Sequence, residues 1–597
     1  MMLLAGVASV LGGAGALTGC GPTGPEGREG FTSNADEVGD DTLGSETAGT
    51  DTETDTGGEC EELVNTGGVS INSIEKLELL SGVTKIDGDV EITGDMDELF
   101  GLECLTEITG FLYVHDLSAL TTFEGLEALQ QVGGYLFVGG NDQLLTFAGL
   151  DGLRELGSYL HVTQNPSLQN LDGLDGLSEI GDFLIVDNNP SLTNIDGLSQ
   201  VPGSPQALRI ESNASLTDLD GLSGIKGVSD ELAIIGNDSL SDTSGLAGIQ
   251  ATGGLYVQAN PSMSSLDLLS LQTVDGPFVI TAMPGLSDLD GFGSLFGING
   301  TTILVSTGIV QTDGLSGVTQ WGSTVRIEEN PNLISLEGLV GMSEVSYLTI
   351  DQNPNLAFVN LASLQVVYEV FSVWGAENLE FLFMPNLDAV GGFFRLGYTG
   401  LSFIEFTPLG SVADDLLIWN NPQLAEISGL GALESIGGRL YLRQNAGLTS
   451  LSGLENLSTV ADRVLIIDND SLQNLDGLSG LSSAGAVTVN GNFNLNNVAG
   501  LSGLSSLPGW LRIQENEALS NLAGLNNLTQ VGQELRIADN FNLAAIPGLT
   551  NLQGVGGQVN ITGNVDLPTC TAQALVNQLV FAGGVDISGN LPDACGN

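Results

Sequence analysis

The chain has 597 residues, with 73 acidic and 13 basic side chains, so its formal net charge is −60. This length is too great for one compact core and indicates several domains or one elongated repeat array. The scarcity of lysine and arginine argues against nucleic-acid binding, because clustered basic side chains contact phosphates, and against docking on anionic lipid. Only 14% of the residues are charged. The Gly-rich remainder favours turns and short strands over helical bundles.

The N-terminal segment has the pattern of an export signal. A short apolar stretch, residues 3–17, runs into Leu17, Thr18, Gly19 and Cys20, which together resemble the lipobox of bacterial lipoproteins. The resemblance implies that residues 1–19 are a signal peptide, that lipid is attached to Cys20, and that the protein lies in the cell envelope. Gly21 after this cysteine gives no inner-membrane retention signal, so we expect the outer membrane. The usual basic residues are missing before the apolar stretch, and an ordinary secretory signal is the alternative.

Residues 20–59 differ sharply in composition from the segments on either side. They are acidic, rich in threonine and glycine, and nearly devoid of apolar side chains. Such a segment cannot bury enough surface to offset the loss of chain entropy on folding. We therefore predict a disordered tether between the lipidated cysteine and a folded body.

One pattern recurs from residue 60 to residue 597, as in LHVTQNPSLQNLDGLDGLSEIGD at 160–182. Alternation in the opening triplet places two apolar side chains on one face, and only stacking on a neighbouring repeat can bury them. Strands of this type occur in about 23 copies, with the period of leucine-rich repeats. We predict a mainly β, right-handed parallel β-solenoid with rungs of 22–26 residues. Residues 60–104 and 565–597 form its end caps, the second with a short helix over 571–580.

An asparagine follows the strand in most repeats, and neighbouring copies are 23 or 24 residues apart. Its amide can satisfy backbone groups of its own and adjacent turns. We predict an internal asparagine ladder formed by Asn141, Asn165, Asn189, Asn213, Asn237, Asn260, Asn330, Asn353, Asn421, Asn445, Asn469, Asn492, Asn516, Asn540 and Asn564.

The repeats resemble the receptor L domain, notably in Cys60, residues 68–71 and residues 86–92. Their number is nearer to bacterial leucine-rich surface lipoproteins. The resemblance covers about nine-tenths of the chain and implies a binding role without naming a ligand. The cysteines include no CxxC pair, which argues against zinc. Cys60 and Cys104 bracket the start of the repeats, and Cys570 and Cys595 bracket the end, so we expect one disulfide in each cap.

Candidate catalytic and metal-binding groups are few. The two histidines, His115 and His161, exclude most histidine-dependent mechanisms, and we interpret His161 as an inert outward-facing strand residue. Aspartates that precede glycine either bind Ca²⁺ or bond their own turns, and we expect no cofactor, with calcium left open. These aspartates are Asp172, Asp196, Asp220, Asp290 and Asp476.

The outward strand positions carry the strongest candidate site. Trp374 and Trp419 lie two rungs apart with Gly397 between them, and a spacing of roughly 9–10 Å would leave a gap that a sugar or an apolar side chain could enter. The candidate binding face comprises Trp374, Arg395, Gly397, Trp419, Tyr441 and Arg443. The alternative is that aromatic and basic residues are simply well tolerated on an exposed strand face.

Together these features predict a monomeric, envelope-anchored, non-enzymatic binding or adhesion protein that displays a long repeat surface to a protein or polysaccharide. Two alternatives stay open. One is a β-helical polysaccharide-active enzyme, since parallel β-helices also host catalytic sites. The other is a purely structural spacer.

Overall fold

The computed structural model describes residue 60 and residues 62–581 and 583–593. The predicted signal peptide, Cys20, the tether and Cys595 lie outside these residues and stay predictions. All described residues belong to one compact unit. Within that unit, no helix has the length and apolar character needed to cross a membrane.

The fold is mainly β, a parallel solenoid of about 22 turns. Successive strands of a continuous main sheet are separated by one turn each, and every described pairing in this sheet is parallel. The 23 strands that enter this sheet are Val69–Ile71, Val90–Gly94, Leu112–Leu117, Leu136–Gly139, Leu160–Thr163, Phe183–Asp187, Ala207–Glu211, Val228–Ile235, Ala251–Gln258, Phe278–Met283, Thr302–Thr307, Thr324–Glu328, Glu344–Asp351, Val366–Ala376, Phe393–Thr399, Leu416–Trp419, Leu440–Arg443, Thr459–Ile467, Ser483–Asn490, Leu511–Gln514, Leu535–Ala538, Val559–Thr562 and Val585–Asp586.

Shorter strands pair between turns outside the main-sheet positions. Most lie just before a main strand, and long strands such as Val228–Ile235 run through both positions. The separate short strands are Leu63–Thr66, Val83–Asp87, Glu107–Ile108, Gln131–Val132, Glu155–Leu156, Glu179–Ile180, Thr273–Val274, Gly297–Ile298, Gln320–Trp321, Phe358–Asn360, Phe381–Phe383, Ala389–Val390, Ser411–Val412, Ser435–Ile436, Ser506–Leu507, Gln530–Val531, Gly554–Val555 and Val580–Phe581.

Helical structure is confined to short pieces. The described α-helices are Ile74–Glu78 and Thr569–Gln578. Single 3₁₀ turns occupy Asp196–Leu198, Asp220–Leu222, Ser244–Leu246, Asp290–Phe292, Asp313–Leu315, Glu337–Leu339, Ser428–Leu430, Asp476–Leu478, Ala499–Leu501 and Pro547–Leu549. The C-terminal helix begins and ends two residues earlier than its predicted span of 571–580. It ends early because Val580 pairs with Gly554 in the preceding turn and must be extended there.

The repeat leucines fill the interior of the solenoid. Leu160 pairs with Leu184 and Val162 with Val186 on adjacent strands, so like residues stack on like residues. One turn contributes the fully buried side chains Leu160, Val162, Leu168, Leu171, Leu174 and Leu177. A single turn has no partner surface for these side chains, and stability therefore comes from the contact between neighbouring turns.

The asparagines form a hydrogen-bonded ladder beneath the bend that follows each main strand. Asn213 is fully buried, and its Oδ1 accepts a 3.1 Å hydrogen bond from the Asn189 backbone N–H. Its Nδ2 donates to the Val186 carbonyl at 2.8 Å and to Asn237 Oδ1 at 3.4 Å. Each side chain thereby satisfies backbone groups that the bend would otherwise leave buried and unpaired.

The ladder is longer than the sequence pattern indicated. Asn590 continues it, because its Oδ1 accepts a 3.1 Å hydrogen bond from the Asn564 backbone N–H. Its spacing of 26 residues from Asn564 hides it from a search at 23 or 24. In two of the turns that lack the asparagine, Thr399 and Thr307 take the position, and each hydroxyl donates to the asparagine of the next turn.

The residue before each ladder asparagine makes the sharp bend. Gln164, Asn188 and Glu329 have φ values of +55°, +57° and +57°, in the left-handed region. Non-glycine residues adopt this region at a cost of roughly 1–2 kcal/mol. The buried asparagine that follows holds the bend, so the strain recurs at almost every turn.

Cys60 and Cys104 form a disulfide with a Cα–Cα distance of 5.5 Å, as the sequence predicted for the N-terminal cap. In the C-terminal cap, Cys570 is also disulfide-bonded. The predicted pairing of Cys570 with Cys595 cannot be placed within the described residues, because Cys595 lies beyond them.

Candidate ligand-binding face

The outward side chains of the main sheet form a continuous surface, called here the main-sheet face. In each turn it comprises the residue before the L-x-I triplet, the middle residue of the triplet and the residue after it, because alternate strand residues share a face. Eight of the chain's 13 basic residues lie on it: Arg209, Arg326, Arg395, Arg439, Arg443, Arg463, Arg512 and Arg536. Basic charge is thus concentrated on one face of a strongly acidic protein.

Aromatic side chains from consecutive turns meet at the predicted site, in a group called here the Trp374 cluster: Trp374, Tyr398, Trp419 and Tyr441. The ring centroids of Trp374 lie 4.7 Å from Tyr398 and 5.4 Å from Trp419. Trp419 and Tyr441 are 6.2 Å apart. Tyr398 was missing from the predicted set, because it lies two residues past the triplet, at a left-handed bend near the end of the strand, and not within the alternating pattern.

The gap expected between the two tryptophans is closed. Trp374, Gly397 and Trp419 are in register on three adjacent strands, as predicted. A Cβ atom on Gly397 would lie 2.3 Å from Cζ3 of Trp374, so the indole ring itself covers the glycine. The prediction of a gap was wrong because it used the backbone spacing alone. Gly397 has no side chain, so the Trp374 ring extends over the strand of Gly397.

Two arginines are held against this cluster. The guanidinium of Arg395 lies 4.7 Å from the Trp374 ring centroid, and that of Arg443 lies 5.7 Å from the Trp419 ring centroid. Arg395 also pairs with Asp351 and donates to Ser372 Oγ at 2.9 Å. Rings and arginines that are already fixed by neighbours lose little conformational entropy when a ligand binds.

Two titratable groups at the cluster have shifted pKa values. Burial raises the pKa of Asp351, although the neighbouring Arg395 opposes this shift. A hydrogen bond from the Arg443 guanidinium to the Tyr441 hydroxyl, 3.1 Å long, raises the pKa of Arg443. The Trp419 indole N–H donates to Gln444 Oε1 at 2.7 Å, which fixes the second ring.

A second aromatic group, called here the aromatic column, lies on the N-terminal part of the face and was not predicted. It comprises Phe111, Tyr135, Tyr159 and Phe183, with Tyr113 and Phe137 beside them. Tyr135 and Tyr159 stack at 4.4 Å with an interplanar angle of 4°. The signal was present in the sequence as an aromatic residue before the triplet in four consecutive turns, 24 residues apart.

Both histidines flank the aromatic column and contact carboxylates. His115 lies 2.9 Å from Asp116 Oδ2 and 3.1 Å from Glu91 Oε1. His161, predicted to be an inert surface residue, faces outward but lies 2.7 Å from Asp187 Oδ1. The hydrogen bond of His115 holds the pKa of Glu91 below its ordinary value.

A third group, called here the Trp510 cluster, lies near the C-terminal end of the face. It comprises Trp510, Arg463 and Arg512, together with Arg536, the register neighbour of Arg512 on the next strand. The guanidiniums of Arg463 and Arg512 lie 5.0 Å and 4.6 Å from the Trp510 ring centroid. Arg512 and Arg536 are the middle residues of their triplets, whereas Trp510 precedes its triplet.

Three of the aspartates that precede glycine, Asp172, Asp196 and Asp220, lie on consecutive turns and near one another. Burial raises the pKa of Asp196, and the nearby carboxylates of Asp218 and Asp220 raise it further. Among residues 60, 62–581 and 583–593, no group of three or more His, Cys, Asp or Glu side chains is arranged to hold a metal ion. Calcium binding by these aspartates stays one of the two interpretations given by the sequence.

No family model and no curated protein matches this chain. Solved structures with similarity include the leucine-rich-repeat protein LIC12759 of Leptospira interrogans, 15% identical, covering 78% of this chain and 95% of that one, with a TM-score of 0.22. The functional domain of InlJ from Listeria monocytogenes is 14% identical, with 68% and 73% coverage and a TM-score of 0.25. A leucine-rich repeat protein from Bacteroides ovatus is 12% identical, with 66% and 87% coverage and a TM-score of 0.20. TM-scores this low do not establish a fold. The fold described above is shown by the strand pairing and the buried leucines of this chain.

Proposed function

We propose that this protein is a non-enzymatic binding protein of the cell envelope that holds a protein or polysaccharide against its main-sheet face. The Trp374 cluster carries the proposal. Aromatic and arginine side chains supply most of the energy at binding surfaces, especially where neighbours have already fixed them. Here both residue types converge on one outward surface of an otherwise acidic, turn-rich chain.

Anchoring is the second part of the proposal. Cys20 in a lipobox-like sequence would carry lipid, at the outer membrane, and residues 20–59 would hold the solenoid away from it. The support is the sequence pattern alone. Labelling of the expressed protein with a radioactive fatty acid, compared with a Cys20→Ala variant, tests it: no label on the wild-type chain would contradict lipidation.

The binding role is tested by replacing both tryptophans of the Trp374 cluster. We expect Trp374→Ala with Trp419→Ala to lower saturable binding to a glycan array or to isolated envelope at least about tenfold, because the aromatic contact surface is lost. The matched control is Phe381→Ala with Phe403→Ala. These two rings lie in neighbouring turns and are 50% and 41% exposed, but they are off the main-sheet face.

Three outcomes would contradict the proposal. Equal binding by wild type and the double tryptophan variant would remove the Trp374 cluster as the site. Release of shortened glycans during incubation would indicate an enzyme. Absence of binding to every glycan and to the envelope would favour a structural spacer.

A further inference from the structure

Arg536 differs from the other seven arginines of the main-sheet face. Each of those seven has a carboxylate within 3.5 Å. Within the part of the chain that the structure describes, Arg536 makes no ion pair. Its Nε is buried without a hydrogen-bond partner among these residues, as are those of Arg209 and Arg443, so the missing ion pair is what distinguishes it. In a protein with a net charge of −60, one uncompensated arginine among paired ones needs an explanation.

The acid nearest along its own strand is already occupied. Glu534 lies two residues before Arg536 and shares its face. Glu534 Oε2 accepts from Arg512 Nε at 2.7 Å, and Oε1 accepts from Asn560 Nδ2 at 3.0 Å. Arg512 and Asn560 are the register neighbours of Arg536 on the two adjacent strands. Both neighbours therefore direct their side chains toward Glu534. The guanidinium of Arg536, next to Arg512, has no carboxylate partner among the described residues and can bind an anionic group of a ligand.

Arg512, whose guanidinium lies 4.6 Å from the Trp510 ring centroid, and Asn560 flank Arg536 on the two adjacent strands. On the far side of the Arg512 strand from Arg536, the Trp510 indole N–H donates to Thr488 Oγ1 at 3.0 Å, and Ala486 is buried there. On that same side, Gln514 Nε2 donates to Asn490 Oδ1 at 2.7 Å. An indole ring, fixed amides and arginines together match a ligand that carries both hydroxyl groups and an anionic group.

We propose that the Trp510 cluster binds the carboxylate of an acidic polysaccharide, with Arg536 as the residue that pairs with the uronate group. This inference rests on the proposed function. It specifies the class of polysaccharide that binds and adds the Trp510 cluster to the Trp374 cluster as a second contact on the main-sheet face. An acidic peptide would offer carboxylates too, but peptide recognition relies on apolar or aromatic anchors seated in pockets. Asn560 beside Arg536, and Gln514 on the strand of Arg512, provide polar amide groups instead.

The test measures binding of the full chain to short oligomers of galacturonate, of mannuronate and guluronate, and of hyaluronan by titration calorimetry. We expect at least one to bind, and Arg536→Gln to weaken that binding at least about tenfold, because a charge-assisted hydrogen bond is lost. Methyl esterification of the ligand carboxylates should have a similar effect. Arg326→Gln is the matched control, since Arg326 lies in the same column but pairs with Glu328 at 2.7 Å.

Thermal unfolding provides a second readout. Arg536→Gln should not lower the melting temperature, because Arg536 forms no ion pair to lose. Unchanged affinity of this variant for the bound oligomer would overturn the inference, as would failure of all three oligomers to bind. Binding of polyglutamate with equal affinity would overturn the glycan assignment. If the oligomers fail while the Trp374 and Trp419 replacements still abolish envelope binding, the proposed function stands without this inference.

Discussion

At the scale of single residues, the asparagine of each turn pairs with the backbone groups that a sharp bend leaves without hydrogen-bond partners. Asn469 is fully buried and accepts from the Asn445 backbone N–H at 3.1 Å. It donates to the Leu442 carbonyl at 3.0 Å and to Asn492 Oδ1 at 3.2 Å. No other side chain of this size offers a donor and an acceptor in one plane, which explains why asparagine recurs.

Asn469→Ala should lower the free energy of unfolding by roughly 2–4 kcal/mol, because it leaves buried backbone groups unpaired. Urea denaturation followed by circular dichroism measures the loss. The control is Asn496→Ala, an exposed asparagine whose removal should change the free energy by less than about 0.5 kcal/mol. Equal effects of the two substitutions would show that the ladder does not stabilise the fold.

Tyr135 gives a residue-scale prediction about pH. Burial in the aromatic column raises the pKa of its hydroxyl from 10.0 to about 12. The folded chain therefore favours the neutral phenol, so this contribution to stability is complete below pH 10 and is lost as the pH rises toward 12. A difference titration of wild type against Tyr135→Phe by ultraviolet absorbance should show one tyrosine ionising late. Ionisation of that group near pH 10 would contradict the prediction.

At the scale of elements, glycine allows the turns to stack closely. Gly500, in the turn Ala499–Leu501, faces the preceding turn so closely that an added Cβ would lie 1.6 Å from the Leu475 carbonyl oxygen. The equivalent glycines of neighbouring turns meet the preceding backbone in the same way. The distance between turns is thus set partly by a missing side chain, and not only by the buried leucines.

Gly500→Ala should destabilise the protein by roughly 1–3 kcal/mol, because two backbones must move apart. The matched control is Gly293→Ala, where the nearest atom to the added Cβ is the Asp290 carbonyl oxygen at 3.6 Å, an ordinary contact. Chemical denaturation of both variants distinguishes close approach from a general effect of replacing glycine. Equal stabilities would mean that the turns can separate without cost.

At the scale of the whole molecule, the stability of each turn depends on its contacts with the two neighbouring turns. Each turn packs on its neighbours, so a change at one end is expected to stay near that end. The Cys60–Cys104 disulfide closes a segment with a sequence separation of 44 residues across the first turns. In the chain-entropy account, a cross-link of this length contributes about 4 kcal/mol.

Cys60→Ser with Cys104→Ser should therefore speed amide hydrogen exchange in the strands Val69–Ile71 and Val90–Gly94. The distant strand Val559–Thr562 should exchange at the wild-type rate and serves as the internal control. Mass spectrometry of exchanged peptides reports both ends in one experiment. A uniform increase along the chain would show that the solenoid unfolds as a single cooperative unit.

Much of this architecture could be predicted from the sequence. Alternation in triplets such as that of Leu160 and Val162 determines which side chains point inward, and the regular asparagine spacing determines the ladder. The register of Trp374, Gly397 and Trp419 followed from the same count. These features depend on residues a few positions apart or on a constant period, so they are visible without any three-dimensional information.

The tertiary structure alone decided how the outward side chains are arranged. The Trp374 ring covers Gly397, Arg512 turns toward Glu534 and away from Arg536, and Asn590 extends the ladder from an irregular spacing. Each of these outcomes depends on the size and charge of side chains in neighbouring turns, more than 20 residues away in the chain. The sequence by itself therefore determined the face of each strand residue, whereas packing between turns determined which of those residues meet and which remain available to bind.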